Sequence, residues 1–108
     1  MIVCDVTEVN GRIHRFRLRG HAGYADVGSD IVCAAVSALV TNAINSCEAL
    51  LRVVPECTDD GDELFCRLPS HRISDETDLL FRSMVLGLEQ ISEQYPRHVQ
   101  VRMHHEQG

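Results

Sequence analysis

Between Gly20 and Leu39 the chain reads GHAGYADVGSDIVCAAVSAL, placing His21 shortly ahead of Cys33. A thiolate beside an imidazolium is nucleophilic near neutral pH, and the same imidazole can later protonate a leaving amine. The apolar run that starts at Ile31 predicts a helix with Cys33 in its first turn, where free backbone N–H groups favour a thiolate and a developing oxyanion. The helix dipole supplies only about 0.3–1 kcal/mol there, so the histidine is the more important partner. Gly20, Gly23 and Gly28 allow unusual backbone angles, and Ala22 to Ser29 reads as a lid over a bound peptide, with Tyr24 as an aromatic face. Asp30, ahead of Asp26, is placed to orient the imidazole, and Ser37 stands one helical turn beyond Cys33. A single cysteine is also a common small core residue, so residue types alone leave catalysis and packing both open.

These residues need a scaffold that brings them together. Met1 to Glu8 and Arg12 to Arg19 read as strands around Asn10-Gly11, a strong tight-hairpin signal. Alternation along the second strand predicts one face carrying Arg12, His14, Phe16 and Leu18, and a basic face carrying Ile13, Arg15, Arg17 and Arg19. Ser29 or Asp30 is expected to cap a helix running to about Arg52, apolar nearly all round in its first half and so buried on more than one side. Val53 to Cys57 and Leu64 to Leu68 flank DDGD as a second hairpin, with Cys57, Leu64, Cys66 and Leu68 directed inward. Ser74 opens a second helix whose stripe is Leu80, Met84, Leu88, Ile91 and Tyr95, and Pro96 ends it. His98 to His105 closes the chain as a strand. The order is ββαββαβ, a single α+β domain over 1–108 with two helices packed on a mainly antiparallel sheet. His104 and His105, at the chain end, read as a frayed tail rather than a metal tract.

The totals narrow the function further. A formal charge of −6 argues against sequence-blind binding of nucleic acid, so no direct nucleic-acid partner is expected. Five scattered cysteines without a CxxC pair suggest neither a disulfide framework nor a zinc site. They are expected to be mostly buried, reduced thiols, Cys57 and Cys66 included. No apolar run of membrane-spanning length and no secretory leader is read, so the cytoplasm is expected, without a membrane partner. The turn residues Glu56, Asp59, Asp60, Asp62 and Glu63 form an acidic cluster suited to steering a basic partner.

GHAGYA followed by G-x-DIVCAAVSAL closely resembles the signature of the ribosomal-processing cysteine protease family Prp. That resemblance implies removal of a short N-terminal extension from the precursor of the large-subunit ribosomal protein numbered twenty-seven, after an aromatic-containing motif. It implies a catalytic dyad of His21 and Cys33, with Asp30 and Ser37 in support, a homodimer, and neither metal nor cofactor. An interface on the apolar first helix would agree with a homodimer. Two other readings stand beside it. One is a non-catalytic ribosome-associated module using Arg12, Arg15, Arg17 and Arg19 on RNA, with Cys33 in the core; the other is a metal site of His21, Cys33 and an aspartate, for which the sequence places no further ligands nearby.

Overall fold

Asn10 and Gly11 both adopt positive φ, 53° and 85°, and join β1 (Ile2–Val9) to β2 (Arg12–Arg19). The computed structural model describes residues 1–20 and 27–108, and for 27–30 the backbone alone. After β2 come α1 (Val27–Leu51), the hairpin β3 (Glu56–Asp59) and β4 (Glu63–Arg67), a short 3-10 turn at Ser70–Arg72, α2 (Asp75–Gln94) and β5 (Val99–Glu106). The element order is the expected ββαββαβ. The five strands lie in the order β3-β4-β2-β1-β5, with every neighbouring pair antiparallel except β1 and β5. The closing strand therefore returns beside the opening one.

Both helices cover one face of this sheet. Phe16 of β2 meets Phe81 of α2 with ring centroids 5.6 Å apart, and Cys4, Val6, Leu88 and Cys66 are buried around them. The buried line of α2 is Thr77, Phe81, Met84, Val85 and Leu88, so Met84 and Leu88 fulfil the predicted stripe. Leu80, Ile91 and Tyr95 lie at its half-buried margin. The stripe is rotated because α2 also packs against α1, closely enough that a Cβ on Gly87 would stand 2.8 Å from Leu39 Cδ1. Ser74 caps α2 reciprocally with Thr77, and three carboxylates occupy its first turn, as the dipole favours.

Strict alternation fails in β2. Thr7 faces Arg15 while Glu8 faces Ile13, which leaves His14 as an extra residue in a β-bulge. The bulge reverses the side-chain phase, so Ile13 is buried with Phe16 instead of joining the arginines. The Ile13 N–H is satisfied by Asp78 Oδ1 at 2.8 Å.

The uncovered face carries Arg15, Arg17 and Arg19, but neighbouring strands supply acids that offset them. Arg15 pairs with Glu106 at 2.5 Å, Arg17 with Glu63 at 2.5 Å, and Asp5 lies 3.1 Å from Arg102 and 3.7 Å from Arg19. Burial alone would raise the Asp5 carboxyl; the His104 hydrogen bond and the arginine charges outweigh it and hold it below the usual range. His104 and His105 are not a frayed tail. They belong to β5, where His104 Nε2 lies 2.8 Å from Asp5 and His105 pairs with Glu8, itself paired with Arg82.

Three further expectations are revised. Cys57 and Cys66 face each other across the β3–β4 hairpin with Cα atoms 4.2 Å apart and are joined as a disulfide, not held as reduced core thiols. Cys66 is buried, but Cys57 is exposed because β3 is an edge strand. Helix α1 begins at Val27, so Ser29 and Asp30 lie within it and do not cap it, and Cys33 is its seventh residue. Finally, Ile31–Leu51, 21 residues of mean hydropathy 1.4, is long and apolar enough by length and composition to cross a membrane. Here its Val32, Val36, Val40, Ala43 and Cys47 are buried in the core. Arg52 ends the helix in the left-handed region at φ 60°.

Gly20 ends β2 at φ 88°, and a Cβ there would stand 2.2 Å from the Met1 carbonyl oxygen. Gly11 shares the positive φ but has open space around it. Gly20→Ala is expected to cost about 1–3 kcal/mol more than Gly11→Ala, since both incur the backbone penalty and only one a backbone clash. Denaturant midpoints at constant slope measure the difference; equal losses would contradict the close approach.

Candidate active site

A groove of about 300 Å³ opens between α1, the end of β2 and the β3–β4 turn. Its floor is apolar, with Leu18 and Leu64 from the sheet and Val36 and Val40 from α1. One wall is a line of α1 residues at four-residue steps, Cys33, Ser37 and Thr41, which helical geometry stacks along a single edge. The opposite wall is the hairpin tip, with Asp59, Gly61, Asp62 and Glu63.

Cys33 is the free thiol that is partly buried rather than fully so, packed at the core's edge. Its neighbours Val32 and Val36 are buried at 1% exposure each, which fixes the rotation of the helix and holds Cys33 at the groove margin. Cys4 and Cys47 are buried; burial, aided by the Asp5 charge, pushes the Cys4 thiol up to about 12, and burial followed by Glu48 raises Cys47. Cys57 and Cys66 are tied to each other. Because Cys33 lies past the first turn of α1, the dipole and free N–H groups of the helix start act on it less directly than the sequence suggested.

The structure thus brings Cys33, Ser37 and Gly20 to one groove. Gly28 and Asp30 belong to the first turn of α1, which shortens the expected Ala22 to Ser29 lid. His21, Ala22, Gly23 and Tyr24 lie outside the described residues. Sequence reasoning missed Leu18, Thr41 and Leu64 as groove residues. Thr41 was findable, two helical turns from Cys33; Leu18 and Leu64 meet there only because β2 pairs with β4.

A free thiol on the wall of an open groove is placed where a thiol-dependent peptide hydrolase carries its nucleophile. The family model described as Cysteine protease Prp matches residues 1–100, and the chain belongs to that family. It is 30% identical over 105 residues to the ribosomal processing cysteine protease Prp of Staphylococcus aureus, covering 94% of this chain and 97% of that one. Among solved structures, the Streptococcus mutans protein SMU.848 superposes with a TM-score of 0.90 at 30% identity, covering 98% of this chain and 96% of its own. The S. aureus ribosomal processing protease Prp with a covalently linked product peptide follows at 0.83 and 31%, covering 95% and 99%. The protein described here is accordingly a cysteine protease.

Native alkylation at about pH 7 is expected to label one thiol per chain, Cys33, since the other free thiols are buried and protonated. Denaturation should release two more, and reduction the final pair. Peptide mapping by mass spectrometry checks the order; native label on Cys4 or Cys47 would contradict the burial on which it rests.

Proposed function

We propose that this protein removes the N-terminal extension of the precursor of ribosomal protein twenty-seven, with Cys33 as nucleophile and His21 as general acid and base. The observation that carries the reading is the placement of Cys33, the accessible free thiol, on the wall of the groove. Support comes from similarity over 94% of this chain to a ribosomal processing protease, and from the likeness to one solved with a linked product peptide.

In this mechanism His21 holds the Cys33 proton while the sulfur attacks the scissile carbonyl. The tetrahedral intermediate collapses as the imidazolium passes its proton to the departing amine, leaving a thioester on Cys33. Water then attacks that thioester, with His21 accepting its proton, and the sulfur leaves to regenerate the dyad. Asp30 orients the imidazole, and the Ser37 hydroxyl, one turn along the wall from Cys33, hydrogen-bonds the reacting groups. Since Cys33 sits beyond the first turn of α1, thiolate formation depends on the histidine more than on the helix. The binding-module alternative is weakened by the ion pairs that Arg12, Arg15 and Arg17 already make with Asp75, Glu106 and Glu63.

The protein acts in the cytoplasm as a homodimer in this reading. The outward side of α1, where Ile31 is 58% exposed and Ala34 and Ala38 accompany it, suits a two-fold contact. Ile31→Lys should then shift the sedimenting species from dimer to monomer; an unchanged species would place any dimer contact elsewhere.

The enzymatic test uses a synthetic precursor tail followed by mass spectrometry. Cys33→Ala is expected to lower turnover at least about a thousandfold while retaining peptide binding. His21→Ala should cause a comparable loss and shift alkylation of Cys33 to higher pH. Undiminished turnover by Cys33→Ala would remove the nucleophile assignment.

A further inference from the structure

The groove's two walls differ in charge. Helix α1 contributes neutral side chains, whereas the hairpin tip contributes Asp59, Asp62 and Glu63, and no arginine lines the groove among the described residues. These carboxylates are unequally engaged. Glu63 is compensated by Arg17 at 2.5 Å, and among the described residues Asp59 Oδ1 accepts the Gly61 N–H alone, at 2.9 Å. The Asp62 backbone N–H donates to Asp60, but its carboxylate has no hydrogen-bond or ion-pair partner among the described residues.

The acidic wall is also preformed. Asp60 Oδ1 accepts the N–H groups of Glu63 and Asp62 at 2.7 and 2.9 Å, bonds that hold its own carboxyl below the usual range and tie the tip together. The Cys57–Cys66 disulfide and the Arg67–Glu56 pair brace the strands behind it. These bonds hold the backbone of the tip in one conformation beside the groove.

From Cys33 to Thr41 the groove follows α1 for about 12 Å, at 1.5 Å of rise per residue. An extended peptide covers that length with about three to four residues at 3.3 Å each. A lysine or arginine in this span can lay its alkyl stem along the floor at Leu18 and Leu64 while its charged head reaches Asp59 or Asp62.

We infer that the groove selects substrates carrying a cationic side chain within about four residues of the scissile bond, on the side running from Cys33 toward Thr41, with Asp59 and Asp62 as the residues that set this preference. The inference rests on the protease reading for its link to catalysis, but it describes binding and is testable without turnover.

The experiment measures the affinity of Cys33→Ala protein for a fluorescent neutral peptide in which one lysine is moved residue by residue, with norleucine as the uncharged counterpart. A one-sided optimum is expected, with lysine favoured about threefold to tenfold at low ionic strength and the advantage shrinking as salt is added. Adding Asp59→Asn and Asp62→Asn should flatten the profile, and Asp62→Lys should make glutamate the preferred residue. A flat profile, or one unchanged by these substitutions, overturns the inference. Turnover of the best-bound lysine peptide, extended by the precursor cleavage segment, by the unmodified protein separately tests the proposed function: its absence alongside a lysine optimum would unseat that reading and leave the charge preference standing.

Discussion

The site depends on the burial of one side of α1. Val32, Val36 and Val40 are almost wholly removed from water, and each such side chain contributes about 1.5–3 kcal/mol when buried. A helix held by three such anchors cannot rotate without exposing them. Because adjacent helical residues point about 100° apart, anchoring these valines places Cys33, Ser37 and Thr41 together at the edge of the packed surface. The thiol is thus held at the boundary between core and groove by neighbours that take no part in the chemistry.

The sheet completes the groove through its strand order. Strand β2 is the central strand, flanked by β1 on one side and β4 on the other, so the tip of the β3–β4 hairpin comes to the groove that α1 also lines. The arrangement needs a rigid hairpin at the sheet margin, and a cross-strand disulfide with the hydrogen bonds inside the turn supplies it. At the far side of the sheet, β5 completes the edge beside β1, and its polar residues meet Asp5 and Glu8 in ion pairs that include His104 and His105. The Asp5 pairs are partly exposed and individually weak in water, whereas Glu8 is buried between His105 and Arg82. On the uncovered face Glu106 and Glu63 offset Arg15 and Arg17, and Asp5 is shared among Arg19, Arg102 and His104, so that face is mixed in charge.

Where the sequence reading departed from the structure, the cause was a partner that local pattern does not name. Unbroken alternation puts Ile13 on the basic face, and one extra residue at His14 reverses it. Hairpin alternation points Cys57 inward along with Leu64, Cys66 and Leu68; Cys57 and Cys66 do pair across the hairpin, but Cys57 is exposed on the edge strand β3. The terminal histidines looked frayed because their strand partner, β1, lies at the opposite end of the chain. The α1 start was placed too late because Gly28 and Ser29 carry a turn signal that the helix overrides.

By itself, the sequence determined the element order, both hairpin turns, the cap of α2 and the His21–Cys33 motif, because each depends on backbone preferences and side-chain spacing within one short segment. Only the tertiary structure decided the strand order, the parallel return of β5 and the groove opposite α1. These depend on which distant segments bury surface against each other. That choice is made by the packing of the whole chain: Leu18 and Leu64, far apart in sequence, share the floor beneath Cys33 because β2 and β4 are neighbours in the sheet.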